Sequence, residues 1–238
     1  MPYLCTRRRD PRPPVIRSAP PERWPEAAPH YESKSGGNDV KHVMFALIFC
    51  PLAALADGRA YLDTIPVFWR TLYPDGGSGL YCGTRFAAFD RDYNIEHVYP
   101  MSWVGKALRC GDRDACRRTS RRFNEIESDM HNMYPARKDI NRMRGSYPFR
   151  EIRGEQHIER GCDFEIDHRA HVVEPRPEVR GNIARAMLYM ADRYGLQIYE
   201  KQRRMLLEWH RDDPVDDAER RRNEQISAVQ GNANPWIE

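Results

Sequence analysis

A carboxylate lies beside an imidazole in the segment 94–100, where Glu96 precedes His97. A neutral histidine can accept a proton near neutral pH, because the ordinary pKa of its ring is about 6.5. Neighbouring residues of a β-strand point to opposite faces, so Glu96 and His97 can serve one site only where the strand ends or twists. Pro100 is consistent with such an end. The pair alone is a weak indication, since a histidine in this setting is more often a hydrogen-bonded structural residue than a catalyst.

The elements that must position this pair follow from the spacing of apolar residues. Residues 65–72 predict a short helix or strand, and residues 81–100 predict one or two strands. Helices are predicted at 117–130, 136–144, 178–193, 201–210 and 218–229. Together they predict an α+β fold, a mainly helical single domain around a small strand unit.

Basic residues follow the Glu96–His97 pair closely. They are Arg109, Arg113, Arg117, Arg118, Arg121 and Arg122, followed by Arg137, Lys138, Arg142, Arg144 and Arg150. Residues 1–56 hold 8 of the 38 basic and 5 of the 35 acidic residues, so residues 57–238 hold 30 of each. Because this part carries no net charge, nucleic-acid binding would require a local basic patch. The alternative for such a run is a solvated helix face.

Further segments form an ordered pattern with the pair. They are 127–136, 141–146, 162–164, 173–175, 180–185 and 229–236. On these segments the sequence resembles the bacterial endonuclease I family of periplasmic or secreted nucleases, over most of residues 81–237. The resemblance implies an active-site unit of the ββα-metal type, also called the His-Me finger.

The resemblance also implies roles for individual residues. His97 matches the general base of the family, Glu96 and Asn141 match the ligands of its divalent cation, and Arg113 matches the arginine that holds the phosphate. Arg144 is a further candidate for phosphate contact. One carboxylate and one amide oxygen suit a hard cation, so we expect Mg²⁺, with Mn²⁺ or Ca²⁺ as alternatives.

These roles predict a metal-dependent endonuclease that cleaves DNA, and also RNA, without sequence preference. The resemblance adds products with 5′-phosphate ends. Contacts to phosphates do not distinguish one base from another, so we expect no sequence preference. Because these contacts are electrostatic, we expect the binding affinity for nucleic acid to fall as the salt concentration rises. We expect a monomer. Two alternatives remain, an exported nucleic-acid-binding protein without catalysis and a phosphodiesterase for small nucleotides.

The first 56 residues differ from the rest in composition. Residues 1–39 carry 8 of the 18 prolines and little apolar clustering, which predicts a disordered or wrongly assigned leader. Residues 40–56 combine a basic start, an apolar run and small residues at Ala54 and Ala56, the three parts of a secretory signal peptide. We expect a start near Val40 or Met44, an endonuclease I-like catalytic domain at 57–238, and a periplasmic or secreted protein that does not contact a membrane. The alternative for the apolar run is a buried helix or strand.

Cleavage after Ala56 would leave four cysteines in an oxidising compartment, at positions 82, 110, 116 and 162. Four cysteines allow three pairings. The short separation of Cys110 and Cys116 favours a local disulfide, which leaves Cys82 to pair with Cys162. A zinc site is the alternative, although no C-x2-C pair is present.

The remaining histidines and aromatic residues have simpler explanations. His131 is expected to be structural, and His168 and His171 are expected at the surface. A buried or half-buried position is expected for four aromatic residues in helical patterns: Tyr189, Tyr194, Tyr199 and Trp209.

Overall fold

Helices are the dominant elements of the computed structural model, which describes residues 60–154 and 158–238. The α-helices are α1 (Ala60–Leu72), α2 (Met101–Leu108), α3 (Arg113–Thr119), α4 (Arg121–Glu127), α5 (Lys138–Arg144), α6 (Arg180–Tyr194), α7 (Glu200–Asp212) and α8 (Asp217–Gln230). Short 3-10 helices span Met130–Asn132 and Pro177–Val179. The predicted leader and the signal peptide-like segment lie outside the described residues.

The strands form small antiparallel sheets. They are β1 (Gly77–Ser78), β2 (Arg85–Phe86), β3 (Tyr93–His97), β4 (Met133–Arg137), β5 (Ile158–Glu159), β6 (Cys162–Asp167) and β7 (Val172–Pro175). Strand β1 pairs with β2, β3 pairs with β4, and β6 lies between β5 and β7. This combination of helices and small sheets confirms the α+β prediction.

Strands β3 and β4 place the Glu96–His97 pair beside α5. Glu96 lies opposite Tyr134 and His97 lies opposite Met133 in the antiparallel register. Strand β4 ends at Arg137, α5 begins at the next residue, and this helix packs against both strands. The order is therefore strand, strand, helix. The predicted helix 136–144 is wrong at its start, because its first two residues pair with β3.

The predicted helix 117–130 is divided by Ser120. This residue has extended backbone angles (φ −125°, ψ 104°), and its hydroxyl oxygen accepts a hydrogen bond from the Phe123 amide at 3.1 Å. A serine N-cap satisfies an amide that has no partner within the helix, and so it fixes the start of α4. Phe123 and Ile126 are then fully buried, as their spacing predicts.

Helix α6 lies within the main hydrophobic core. Ile183, Met187 and Met190 on its predicted apolar face are buried, and so are Leu188 and Tyr189. A helix that buries residues around most of its circumference is covered on several sides. The helix packs against α7 and against both 3-10 helices.

Helices α7 and α8 match the predicted helices to within about two residues. Tyr199 is 71% exposed at the N-cap of α7, so the prediction of a buried position is wrong there. Trp209 and Tyr189 are buried as predicted. In the part of the chain that the structure describes, no helix combines the length and the apolar character that crossing a membrane requires.

Two disulfides join the pairs that the cysteine spacing favours. Cys82 is bonded to Cys162 across 80 residues of sequence, and Cys110 is bonded to Cys116 across 6. The long disulfide ties the turn before β2 to the start of β6. The short one closes the loop that ends in α3.

Removal of the two disulfides should destabilise the protein unequally. A disulfide limits the entropy of the unfolded chain more when its loop is longer, so the change of Cys82 and Cys162 to alanine should cost about 4.5 kcal/mol of unfolding free energy. The same change at Cys110 and Cys116 should cost about 2 kcal/mol. Urea unfolding under non-reducing conditions measures both, and equal losses would contradict the prediction.

Candidate active site

An open cleft of about 620 Å³ lies where β3 ends, bordered by α2, α5 and the loop before α3. Glu96, His97, Arg113 and Asn141 all line this cleft. Sequence reasoning selected these same four residues from three separate stretches of chain. The structure therefore brings them to one solvent-accessible place.

Glu96 is a buried carboxylate with its charge compensated. Its Oε1 accepts a 2.6 Å hydrogen bond from the Tyr81 hydroxyl and lies 3.1 Å from Nη1 of Arg144. Burial raises the pKa of Glu96, while the charge of Arg144 and the Tyr81 hydrogen bond act in the opposite direction. Both of these contacts use Oε1, and a backbone hydrogen bond from His97 also acts to lower the pKa of this carboxyl.

His97 is held by a backbone carbonyl. Its Nε2 lies 2.9 Å from the carbonyl oxygen of Glu127. A carbonyl can only accept, so Nε2 carries the proton and Nδ1 is the atom that can accept one. Burial, together with the positive charge of Arg113, lowers the pKa of His97 to about 4. The ring is neutral at neutral pH, the state that a general base requires.

The end of β3 explains how adjacent residues serve one site. The strand stops at His97, and Pro100, with φ −63° and ψ 131°, precedes α2. Because the chain turns here, Glu96 and His97 both reach the cleft instead of opposite faces of a sheet.

Asn141 reaches the cleft from the middle of α5. Its Nδ2 donates to Oδ1 of Asn94 at 2.9 Å and to the carbonyl oxygen of Ile95 at 3.3 Å. These bonds fix which end of the amide faces β3. The oxygen Oδ1 accepts no hydrogen bond from the residues that the structure describes, so it is available to a ligand.

Arg113 lies in the first turn of α3, with 45% of its side chain exposed. Its Nε contacts Oε1 of Glu127 at 2.5 Å, and Arg117 contacts both oxygens of the same carboxylate at 2.7 and 2.8 Å. The Glu127 side chain is fully buried. One acidic residue thus orients an arginine through its side chain and His97 through its backbone.

Sequence reasoning assigned no role to Glu127 or to Tyr61. Glu127 was inside a segment that carried the resemblance, but its two functions depend on contacts distant in sequence. The Tyr61 ring lies 5.2 Å from the His97 ring, and the guanidinium groups of Arg113 and Arg117 lie 5.3 and 5.1 Å from the Tyr61 ring. No local motif marks such a residue.

Arg144 corrects an expectation. Instead of facing a phosphate, its side chain is 1% exposed, and its Nη2 donates to the carbonyl oxygen of Val98 at 2.6 Å. The guanidinium also lies 4.7 Å from the centre of the Phe149 ring. Arg144 compensates the charge of Glu96 from the interior, because a buried carboxylate requires a partner.

The other basic residues divide by environment. Arg117 and Arg137 are partly buried and form ion pairs with Glu127 and Asp139. The exposed members are Arg109, Arg113, Arg118, Arg121, Arg122, Lys138, Arg142 and Arg150. Of these exposed residues Arg113 lines the cleft, where Lys106 is a further exposed cation.

Three further histidines, His131, His168 and His171, occupy the positions expected for them. His131 is 1% exposed, and its Nε2 lies 2.9 Å from the carbonyl oxygen of Asn232. His168 and His171 are exposed, and the His171 ring stacks on Tyr147 at 5.1 Å. None of these three side chains lines the cleft.

A neutral imidazole, a carboxylate, an amide and an arginine around one open cleft are suited to hydrolysis of a phosphodiester, and the protein is a nuclease. Residues 70–238 match the Endonuclease I family, to which the chain belongs.

The relatives of this chain include secreted nucleases. A periplasmic deoxyribonuclease of Aeromonas hydrophila is 40% identical over 173 residues, which are 71% of this chain and 73% of the relative. An extracellular deoxyribonuclease of the same organism is 40% identical over 173 residues, 71% of this chain and 75% of the relative. An extracellular ribonuclease of Bacillus subtilis (strain 168) is 35% identical over 165 residues, 62% of this chain and 51% of the relative.

The interior position of Arg144 can be tested by stability. Arg144→Gln should cost about 3–5 kcal/mol of unfolding free energy, because it leaves the Glu96 carboxylate buried without its cation. The matched control is Arg142→Gln, an exposed arginine on the same helix, which should cost less than about 0.5 kcal/mol. Urea unfolding measures the free energy of unfolding of both variants. Similar values for the two variants would refute the role of Arg144 as the partner of Glu96.

Proposed function

We propose that the protein is a metal-dependent, sequence-nonspecific endonuclease that hydrolyses DNA, and also RNA, to products with 5′-phosphate ends. The observation that carries this proposal is the His97 ring, fixed through Nε2 by the Glu127 carbonyl at 2.9 Å and lining a cleft with Glu96, Asn141 and Arg113. The names of the relatives, deoxyribonucleases and a ribonuclease, support both substrates.

His97 activates the attacking water. The Nδ1 atom accepts a proton from water while Nε2 remains bonded to the Glu127 carbonyl. The oxygen of that water bonds to phosphorus, and the bond from phosphorus to the 3′ oxygen breaks. The new oxygen stays on the phosphate, which remains bonded to the 5′ oxygen of the next nucleotide, and the departing 3′ oxygen takes up a proton from solvent water. This outcome gives 5′-phosphate and 3′-hydroxyl ends.

Arg113 holds the phosphate. Its guanidinium is always charged and presents several donors in a fixed plane, which suits two phosphate oxygens. The contact with Glu127 and the short Cys110–Cys116 disulfide hold the start of α3, and they limit the conformations that this side chain has to lose.

Glu96 and Asn141 fit a hard divalent cation. Within residues 60–154 and 158–238 there is no group of three or more His, Cys, Asp or Glu side chains that could hold a metal. A carboxylate oxygen and an amide oxygen on one cleft suit Mg²⁺, which keeps several waters and binds substrate phosphate. When bound, the cation supplies positive charge to the phosphate and to the departing oxygen.

The absence of base selection follows from the chemistry of the exposed surface. The cations that line the cleft, Lys106 and Arg113, are exposed and bind phosphate oxygens irrespective of sequence. The names of the relatives also support a periplasmic or extracellular location. We propose that the segment 40–56 directs export and that the enzyme acts as a monomer.

His97→Ala should abolish most of the nuclease activity. General base catalysis contributes about 10²- to 10⁴-fold, and alanine leaves no group at this position to accept the proton. The rate of plasmid degradation with Mg²⁺ measures the loss. His171→Ala is the control, since His171 is exposed and lies outside the cleft. A His97→Ala protein as active as the parent would refute the role.

Asn141→Ala should raise the Mg²⁺ concentration needed for half-maximal activity by about 10- to 100-fold, because one of two protein ligands is lost. Asn141→Asp retains an oxygen ligand and should restore much of the metal response. Asn182→Ala, a half-buried asparagine outside the cleft, is the control. Activity should vanish with chelator and return with Mg²⁺. Activity that persists in chelator would exclude the metal-dependent reaction.

A further inference from the structure

A second cleft, of about 540 Å³, adjoins the catalytic cleft. Asn94, Ile95 and Arg113 line both. The remainder of its lining includes four aromatic side chains, Tyr61, Trp69, Phe89 and Tyr93, and three basic ones, Arg70, Arg91 and Lys138. We call this second site the aromatic cleft. It lies along β3, on the side of Arg113 that faces α1, and the proposed mechanism does not use it.

Phe89 is the most exposed large hydrophobic residue of the described chain, at 86%. Its backbone φ is +60°, in the left-handed region that side chains with a Cβ rarely adopt. The ring contacts no other aromatic ring among residues 60–154 and 158–238. The loop between β2 and β3 thus combines a disfavoured backbone conformation with an aromatic ring in water, and neither feature contributes to the core.

The charges around the ring are mostly positive and unpaired. Arg70, Arg91 and Lys138 are exposed, and in the described part of the chain none of them forms an ion pair with an acidic side chain. Asp90 also lines the aromatic cleft, and its Oδ1 accepts a hydrogen bond from the Asp92 amide at 2.8 Å. The three cations can therefore bind an anionic group of a ligand, and the Phe89 ring can stack against a planar group.

We propose that the aromatic cleft binds an unpaired nucleotide of the strand being cleaved, with its base stacked on Phe89 and its phosphate held by Arg91 and Lys138. This inference rests on the proposed function, because Arg113 joins the two clefts into one path for a phosphate backbone. An aromatic ring beside cations is the combination by which proteins bind single strands without reading sequence. In a duplex the bases are stacked on one another and cannot reach Phe89, so the site favours single-stranded or frayed substrate.

The test measures binding without cleavage. The full chain is titrated, in chelator, into a fluorescein-labelled oligothymidylate and into an abasic oligonucleotide of the same length. Phe89→Gly should weaken binding of the oligothymidylate by about five- to tenfold and leave binding of the abasic strand unchanged. Phe89→Trp should retain the parent affinity. Glycine accepts φ +60°, so the fold should persist, and Phe89→Asn serves if the glycine variant fails to fold.

Two controls separate stacking from general effects. Tyr199→Ala removes an aromatic ring that is 71% exposed and lines neither cleft, and it should change neither affinity. Arg91→Gln should weaken binding of both strands. It should also reduce the slope of log affinity against log salt concentration by about one, the value for one phosphate contact.

Three outcomes would overturn the proposal. They are a parent that does not bind the oligothymidylate, a Phe89→Gly variant that binds it as tightly as the parent, and an equal loss on the abasic strand. The failure of the proposed function is seen separately, as a parent that leaves plasmid intact with Mg²⁺. If that parent still loses oligothymidylate affinity on Phe89→Gly, the nucleotide site stands and hydrolysis does not.

Discussion

The carboxylate of Glu127 binds Arg113 and Arg117 while its backbone carbonyl binds the His97 ring. A fully buried carboxylate is stable only when cations or donors compensate its charge, and both arginines do so here. The same contacts direct one of these arginines toward the cleft and fix the tautomer of the histidine. The arrangement of a neutral imidazole beside an exposed guanidinium thus depends on the position of one residue at the end of α4.

A second buried carboxylate has the same requirement on the other side of the cleft. Glu96 uses Oε1 for the Tyr81 hydroxyl and for Arg144, which is why an arginine lies in the interior beneath an active site. The cost of burying this ion pair is offset by contacts that hold the carboxylate in one position. The lining of the cleft and the buried interior of the protein therefore share Glu96.

Much of the fold could be predicted from the chain alone. The apolar spacing of α6, α7 and α8 predicts helices because apolar residues recur at intervals of three or four positions in each. The end of β3 follows from Pro100. Other elements could not be predicted. Strands β6 and β7 are short and were not recognised, and Ser120 divides a helical pattern because its hydroxyl caps α4. The helical spacing of the aromatic residues also gave a wrong prediction of burial for Tyr199, which precedes α7 and is exposed to water.

The sequence by itself determined which side chains could do chemistry, Glu96, His97, Arg113 and Asn141, because their types and order carry the resemblance to the endonuclease I family. Only the tertiary structure decided that they line one cleft and which nitrogen of His97 faces the Glu127 carbonyl. It also placed Arg144 inside the protein and Phe89 in water. The physical reason is that burial and charge compensation are set by contacts between residues far apart in the chain, such as His97 with Glu127, and local patterns do not encode those contacts.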